Sequence, residues 1–109
     1  IAVRASEAER ARFDRIAGER EALAALEADL AEHAMHHARM ANARDNLVPL
    51  ARKRAKLDFD SYGAGTVDLG TALLATLTVA EAEVDLLVRE ADVARDAVRI
   101  IITYSGEQP

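Results

Sequence analysis

The chain has 109 residues and a formal net charge of −5, with 4% aromatic residues and no tryptophan or cysteine. Its abundance of alanine, leucine, glutamate and arginine is typical of long helices and coiled coils. The acidic balance argues against a general nucleic-acid binder, and the lack of cysteine excludes disulfides and thiolate metal sites. No enzyme is predicted, because no Ser–His–Asp relay, cysteine nucleophile or pair of buried carboxylates can be assembled.

One long helix is predicted over residues 1–62. Gly18 costs a helix interior about 1 kcal/mol relative to alanine, and Pro49 removes one backbone donor, which predicts a kink at residues 46–50. Neither residue is accompanied by a cluster of turn formers, so we expect a bent but continuous helix. Sixty residues at 1.5 Å each give a rod of roughly 90 Å, which no compact domain of this size can bury.

Apolar residues of this helix recur along two lines. One line consists of Ile16, Leu23 and Leu30, and the other of Leu26, Met40 and Leu47 with His33 in register. Small alanines lie between these residues. They predict close approach of a partner helix.

A glycine-containing turn at residues 63–67 is predicted to separate this helix from a second one over residues 68–104. Glycine supplies the backbone freedom that ends a helix, and Thr66 or Asp68 caps the next one. Residues 105–109 contain the stop signals of an exit segment. The expected fold is all-α, a long antiparallel helical hairpin that resembles a coiled coil.

The second helix carries the most orderly apolar pattern of the chain. Eight residues alternate spacings of three and four: Leu77, Ala80, Val84, Leu87, Ala91, Ala94, Val98 and Ile101. Four more recur every seven residues on a neighbouring face: Val79, Leu86, Val93 and Ile100. A hairpin needs only one such line, so two lines predict contact with two neighbours, as in a bundle, sheet or barrel of helices.

The two predicted helices have unequal lengths. Counted back from the turn, Tyr104 is expected opposite residues 23–30, so that roughly the first twenty-five residues overhang the shorter helix. The chain also begins at Ile1 instead of methionine. We therefore expect a piece of a larger protein, with the overhang packed on a part outside this sequence.

Three histidines on the first helix form the only cluster of candidate metal ligands. His33 lies three residues from His36 and four from His37, so two imidazoles share one helix face with the donor type that zinc and copper prefer. Histidines at this loose spacing are more often polar residues on a helix surface, and a metal site shared between subunits is the alternative. Neither a metal nor any other cofactor is predicted.

A basic run precedes the turn and consists of Arg52, Lys53, Arg54 and Lys56. Such a run usually forms a solvated helix face, and the alternative is a docking surface for an acidic partner. Asp58, Asp60 and Asp68 bracket the turn. They are explained by helix capping and solubility, or by a ring of acids around a pore if the hairpin oligomerises cyclically.

The residues around the turn resemble a known pattern. The run Tyr62-Gly63-Ala64-Gly65-Thr66-Val67-Asp68-Leu69 is followed by Ala72-Leu73-Leu74-Ala75 and then by Leu77, Ala82 and Leu86. This order is similar to that of TolC-like outer-membrane efflux proteins: Tyr-x-x-Gly, a short variable tip, a Val/Leu-Leu-x-Ala step, and alternating Leu and Ala. Residues 47–51 resemble the Leu-Pro element of heavy-metal-exporting members, and residues 102–106 look like the closing Leu-x-Tyr-x-x-Gly region.

The resemblance implies a homotrimer whose outer-membrane β-barrel continues into the periplasm as a long α-helical barrel. Each protomer of such a channel contributes two helical hairpins, and this chain resembles the C-terminal one. The implied tip, which docks on a periplasmic adaptor and through it on an inner-membrane pump, consists of Tyr62, Gly63, Gly65, Thr66, Val67, Asp68 and Leu69. Further adaptor contacts are implied for Arg52, Lys53, Arg54 and Lys56. The expected place is the periplasmic part of an outer-membrane protein that passively conducts heavy metals or drugs and binds no nucleic acid.

One departure from the family concerns the acidic residues that help to close the pore, which form its gate. Relatives often carry acidic residues six and nine positions after the tip glycine, where this chain has Thr71 and Leu74. The acidic gate is therefore not carried over, and Asp68 is a partial substitute.

Two other functions stay open. One is the α-hairpin of a periplasmic adaptor, whose tip usually presents Arg, Leu and Ser. The other is a self-associating coiled-coil scaffold, which predicts one dominant apolar line instead of two.

Overall fold

A computed structural model describes residues 1–105, and residues 106–109 of the predicted exit segment lie outside this part. The described residues form a helical hairpin with extents of 93 × 25 × 18 Å. In chain order its elements are α1 (Ala2–Asn42), a π-helical segment (Ala43–Leu47), α2 (Val48–Gly63) and α3 (Leu69–Ser105). The prediction of an all-α hairpin is confirmed for this part of the chain. None of its helices combines the length and apolarity needed to cross a bilayer.

The π-helical segment lies directly before Pro49. There the Val48 N–H donates to the carbonyl of Ala43, five residues earlier instead of four. Pro49 has no N–H, and its ring crowds the carbonyl four residues before it, so a wider turn at this point accommodates the ring. The residues on both sides keep right-handed helical dihedral angles. The segment overlaps the kink predicted at residues 46–50, and the bend itself stays a prediction.

The same segment changes which residues of the first helix face α3. Before it, the inward positions are half-buried and repeat at heptad spacing: Leu26, Asp29, His33, His36 and Met40. The wider turn then adds one residue to the spacing, so that Val48 is 3% exposed whereas Leu47 is 47% exposed. The prediction that Leu47 continues the line of Leu26 and Met40 is wrong, because it assumed an uninterrupted repeat.

The interior of the hairpin is thin. Its buried residues are Ala43, Val48, Ala72 and Ala75, and all of them lie in the half nearer the turn. Small side chains here let the helices approach closely, so little apolar volume is enclosed. Further along α3, Val79, Leu86, Val93 and Ile100 are half-buried against the first helix. We call these four residues the inner line.

The other apolar line of α3, here called the outer line, consists of the eight residues predicted above between Leu77 and Ile101. All eight are exposed, and Leu87 and Ile101 expose 63% and 64% of their surface. Successive residues of an α-helix are turned by about 100°, so two lines one residue apart cannot face the same neighbour. The hairpin packs one of the two predicted lines and leaves the other uncovered.

The end of α3 meets the first helix where the sequence predicted. The Tyr104 hydroxyl donates to Asp29, which lies within residues 23–30, so this pairing is confirmed. Residues 1–25 extend beyond it without an opposing helix, and all of them except the half-buried Ile16 are exposed. The predicted overhang is therefore present.

Candidate docking tip and outer face

Backbone hydrogen bonds shape the turn between α2 and α3. The Thr66 N–H donates to the Ser61 carbonyl at 2.9 Å, and the Gly65 N–H donates to the Tyr62 carbonyl at 3.0 Å. The Thr66 hydroxyl also donates to Ser61, at 3.0 Å. This is the Schellman arrangement, in which the residue after the helix takes a left-handed conformation. Gly65 occupies that position with φ +81°, where a Cβ atom is unfavourable.

Asp68 caps the second helix. Its Oδ1 accepts a hydrogen bond of 2.8 Å from the Thr71 N–H, which satisfies one of the free donors of the first turn. This backbone hydrogen bond holds the pKa of Asp68 below its usual value. Of the two capping residues that the sequence left open, Asp68 begins α3 and Thr66 completes the end of α2.

The predicted docking residues form a small, mixed end surface. Tyr62 and Leu69 are exposed, whereas Val67 is half-buried. Gly63 belongs to the last turn of α2, and a Cβ atom at this position would meet open space. The tip therefore offers an aromatic ring and a leucine side chain beside a backbone turn whose shape depends on Gly65.

The basic run divides into paired and unpaired cations. Arg52 donates to Glu83 across the hairpin at 2.8 and 3.2 Å, and Lys56 pairs with an aspartate one turn further along α2 at 3.0 Å. Within residues 1–105, Lys53 and Arg54 make no salt bridge. Arg52 thus links α2 to α3, and Lys53 and Arg54 present charge to the surroundings.

A shallow cleft of about 280 Å³ lies between α2 and α3 near the tip. Its lining consists of Ala51, Arg54, Asp58, Thr71, Leu74, Ala75 and Thr78. The structure thus gathers Thr71 and Leu74, the two positions at which the resemblance led us to look for acidic residues, in one cleft. Asp58 is the acidic side chain that shares this cleft, whereas Asp68 is engaged in capping α3.

The three histidines are distributed over different contacts. His33 Nδ1 lies 3.0 Å from Asp96 Oδ2 across the hairpin, and His36 Nε2 lies 3.6 Å from Glu32 Oε1 on the same helix. His37 packs edge-on against His33 with ring centroids 4.7 Å apart. Among residues 1–105, no group of three or more His, Cys, Asp or Glu side chains converges on a position for a metal ion.

Sequence reasoning missed a polar cluster at the end of α3. The Arg99 guanidinium donates to Asp29 at 3.2 Å and to Asp96 at 2.9 Å, and Tyr104 also donates to Asp29. We call Asp29, His33, Asp96, Arg99 and Tyr104 the distal clasp. One signal was present in the sequence: Asp29 and His33 occupy the heptad line of Leu26, where apolar residues are expected, so polar residues there indicate cross-helix partners.

Hydrogen bonding stabilises the ionised form of both carboxylates of the clasp. The Tyr104 hydroxyl, and after it Arg99, lower the pKa of Asp29. Arg99 and then His33 lower the pKa of Asp96. The Asp29 carboxylate in turn raises the pKa of the Tyr104 hydroxyl. At neutral pH, Asp29 and Asp96 are therefore ionised and accept hydrogen bonds, and the Tyr104 hydroxyl is protonated and donates one.

Comparison with known protein families, characterised proteins and solved structures finds no match. Function must therefore be inferred from the residues of the chain. Three features are available for this purpose: the exposed outer line of α3, the tip with its unpaired cations, and the distal clasp.

Proposed function

We propose that this chain is a helical hairpin from the periplasmic α-barrel of a trimeric outer-membrane efflux channel. In this role it is a wall segment of a tripartite, RND-type export system for heavy metals or drugs. The conduit is passive, since the inner-membrane pump supplies the energy. The TolC-like pattern over residues 45–106 supports the assignment to an efflux channel. The outer line of α3 supports a position in the wall of the α-helical barrel of that channel.

The outer line is the observation that carries this proposal. Its eight residues are all exposed, on a helix whose inner line already packs in the hairpin. Burial of apolar surface is favourable, and a contiguous exposed apolar patch is typical of an interaction site. A helix that contacts one neighbour within its hairpin and another beside it has the arrangement expected in the wall of a helical barrel.

The two ends of the rod are consistent with this role. Residues 1–25 form an uncovered helix at the end away from the turn, which in a channel leads toward the β-barrel. The other end presents the exposed Tyr62, and Lys53 and Arg54 lie two to three turns before it on α2. This end is suited to contact an adaptor that carries acidic residues.

The two other functions fit the same hairpin less well. A self-associating scaffold predicts one dominant apolar line, but α3 has two. An adaptor hairpin presents Arg, Leu and Ser at its tip, whereas this tip is closed by Gly65 in a left-handed conformation.

Photocrosslinking of the intact protein in cells tests the proposal. Leu87→p-benzoylphenylalanine places the probe on the outer line, and Glu81→p-benzoylphenylalanine is the matched control at an exposed polar position of α3 turned by about 120° from Leu87. We expect the protein in the outer-membrane fraction and adducts at Leu87 that contain only copies of this protein, up to a trimer. Location in the cytosol, or equal adducts at both positions, would contradict the proposal.

A probe at the tip separates the channel from the adaptor. Tyr62→p-benzoylphenylalanine is expected to capture a periplasmic protein that carries lipoyl-like β segments, which is the mark of an adaptor. Capture of an outer-membrane β-barrel protein at this position would instead identify the present chain as the adaptor.

A further inference from the structure

The hairpin consists of two halves that are held together by different interactions. The tip half comprises residues 43–88 and contains all four buried residues. The distal half comprises residues 26–42 and 89–105, and none of its residues is buried. Since the hydrophobic contribution to stability follows the apolar area removed from water, apolar packing holds the distal half less strongly than the tip half.

The distal clasp provides polar contacts that hold α3 against α1 in the distal half. Its contacts join α1 to α3 at two levels, through His33 with Asp96 and through Asp29 with Arg99 and Tyr104. The Asp96 side chain is only 11% exposed. Hydrogen bonds to charged groups are stronger than those between neutral groups, so the two carboxylates add to the packing of the half-buried Val93 and Ile100 in holding the distal half closed.

The π-helical segment separates the two halves on the side of the first helix. The segment contacts α3, and its Arg44 is hydrogen-bonded to the neighbouring Asp45. A π-helical turn has a wider, less regular hydrogen-bond pattern than an α-helix and often marks a functional position.

We propose that the distal clasp is an acid-operated latch, which releases residues 93–105 of α3 from α1 while the tip half stays paired. This inference does not depend on the efflux role. Because the local free energy of opening varies along a structure, a half without buried residues opens at lower cost than one with them. The latch makes that opening conditional on protonation.

The charged and titratable groups around the two carboxylates determine the direction of the response. From α1 they are Glu32, His33, His36 and His37, and from α3 they are Asp92, Arg95, Arg99 and Tyr104. In acid the carboxyls of Asp29 and Asp96 lose their charge, whereas Arg99 keeps its own. The charge-assisted contact that joins Asp29 of α1 to Arg99 of α3 is then lost.

The sign of the pH dependence follows from the two carboxyls. Because the hydrogen bonds of the clasp lower the pKa of Asp29 and of Asp96, their stabilisation is present above the usual aspartate value of about 3.9. It is lost as the pH falls through the lower values of the closed state. The latch is therefore closed at neutral pH and opens in acid.

Spin-label distances measured on the intact protein test the latch. The chain has no cysteine, so labels can be introduced in pairs, Ala25→Cys with Thr103→Cys for the distal half and Lys53→Cys with Glu81→Cys for the tip half. Between pH 7 and pH values below the aspartate range, we expect the distal distance to increase and the tip distance to stay constant. A simultaneous change of both distances, or no change in either, would overturn the proposal.

Two arginines of α3 provide a matched pair of variants at neutral pH. Arg99→Gln removes both carboxylate contacts of the guanidinium and is expected to lengthen the distal distance. Arg95→Gln is the control, because within residues 1–105 the salt bridge of Arg95 is made to Asp92 on its own helix and not across the hairpin, and it is expected to leave the distance unchanged. Equal distances in the two variants would overturn the role of the clasp.

A third variant separates the latch from a merely structural contact. Asp29→Asn with Asp96→Asn keeps the shape of the side chains but fixes them in a neutral state. We expect the distal half to be open already at pH 7, with the acid response of the distal distance lost. A double variant that is closed at pH 7 and still opens in acid would show that other groups operate the transition.

Discussion

The tip half and the distal half of the hairpin share one fold but use different chemistry to hold it. Near the tip, Ala72 and Ala75 of α3 are buried and allow close contact with α2. In the distal half, Asp29 and Asp96 are joined through Arg99. Packing of small apolar side chains responds to changes of volume, whereas a clasp of charges responds to pH and salt. The two halves should therefore be separable by experiment.

The largest effect is expected from overpacking the tip half. Ala72 is fully buried, so Ala72→Leu should lower the free energy of unfolding by about 1–3 kcal/mol, measured by urea denaturation followed by circular dichroism. Ala80→Leu is the control, since Ala80 is exposed on the outer line. Equal losses from both substitutions would show that the outer line packs inside the hairpin.

The register change at the π-helical segment gives the next largest effect. Val48→Ala removes buried methyl groups and should cost about 1.5 kcal/mol, from ~0.8 kcal/mol for each buried carbon. Leu47→Ala removes a larger side chain that is nearly half exposed, and should cost clearly less. The opposite order in thermal unfolding would mean that the first helix follows an uninterrupted repeat in solution.

The two glycines of the turn should respond in opposite directions. Gly65→Ala places a Cβ atom at φ +81° and should destabilise the tip by about 1 kcal/mol. Gly63→Ala lies in the last helical turn with open space around it and should stabilise by about 0.5–1 kcal/mol. Thermal unfolding of the two variants measures both effects, and destabilisation by both would contradict the observed turn.

The smallest effect is local to the start of α3. Asp68→Ala should increase amide exchange at Thr71, whereas Asp68→Asn should preserve protection, because Asn is also a good N-cap. Since the Thr71 backbone N–H lowers the pKa of Asp68, the ionised cap is stabilising above the usual aspartate value and its contribution is lost in acid. The pH dependence of the Thr71 amide resonance should report this loss, and a resonance that is insensitive to acid would exclude the cap.

The fold was predictable from the sequence to the level of two helices, a turn and an overhang. Heptad spacing and Gly65 are local signals, and Gly65 places the reversal close to where the structure has it. The site was predictable only in part. Position along the helix does not say which carboxylate a cation contacts, so the pairing of Arg52 with Glu83 was absent from the expectations.

The sequence by itself determined that α3 carries two apolar lines, because periodicity is a property of the chain. The tertiary structure decided that Val79 and Leu86 face the first helix while Leu77 and Leu87 stay exposed. It also decided that Val48 replaces Leu47 in the interior. These outcomes depend on how a partner helix lies against α3 and on one wider backbone turn. Neither is encoded in the spacing of residues along a single helix.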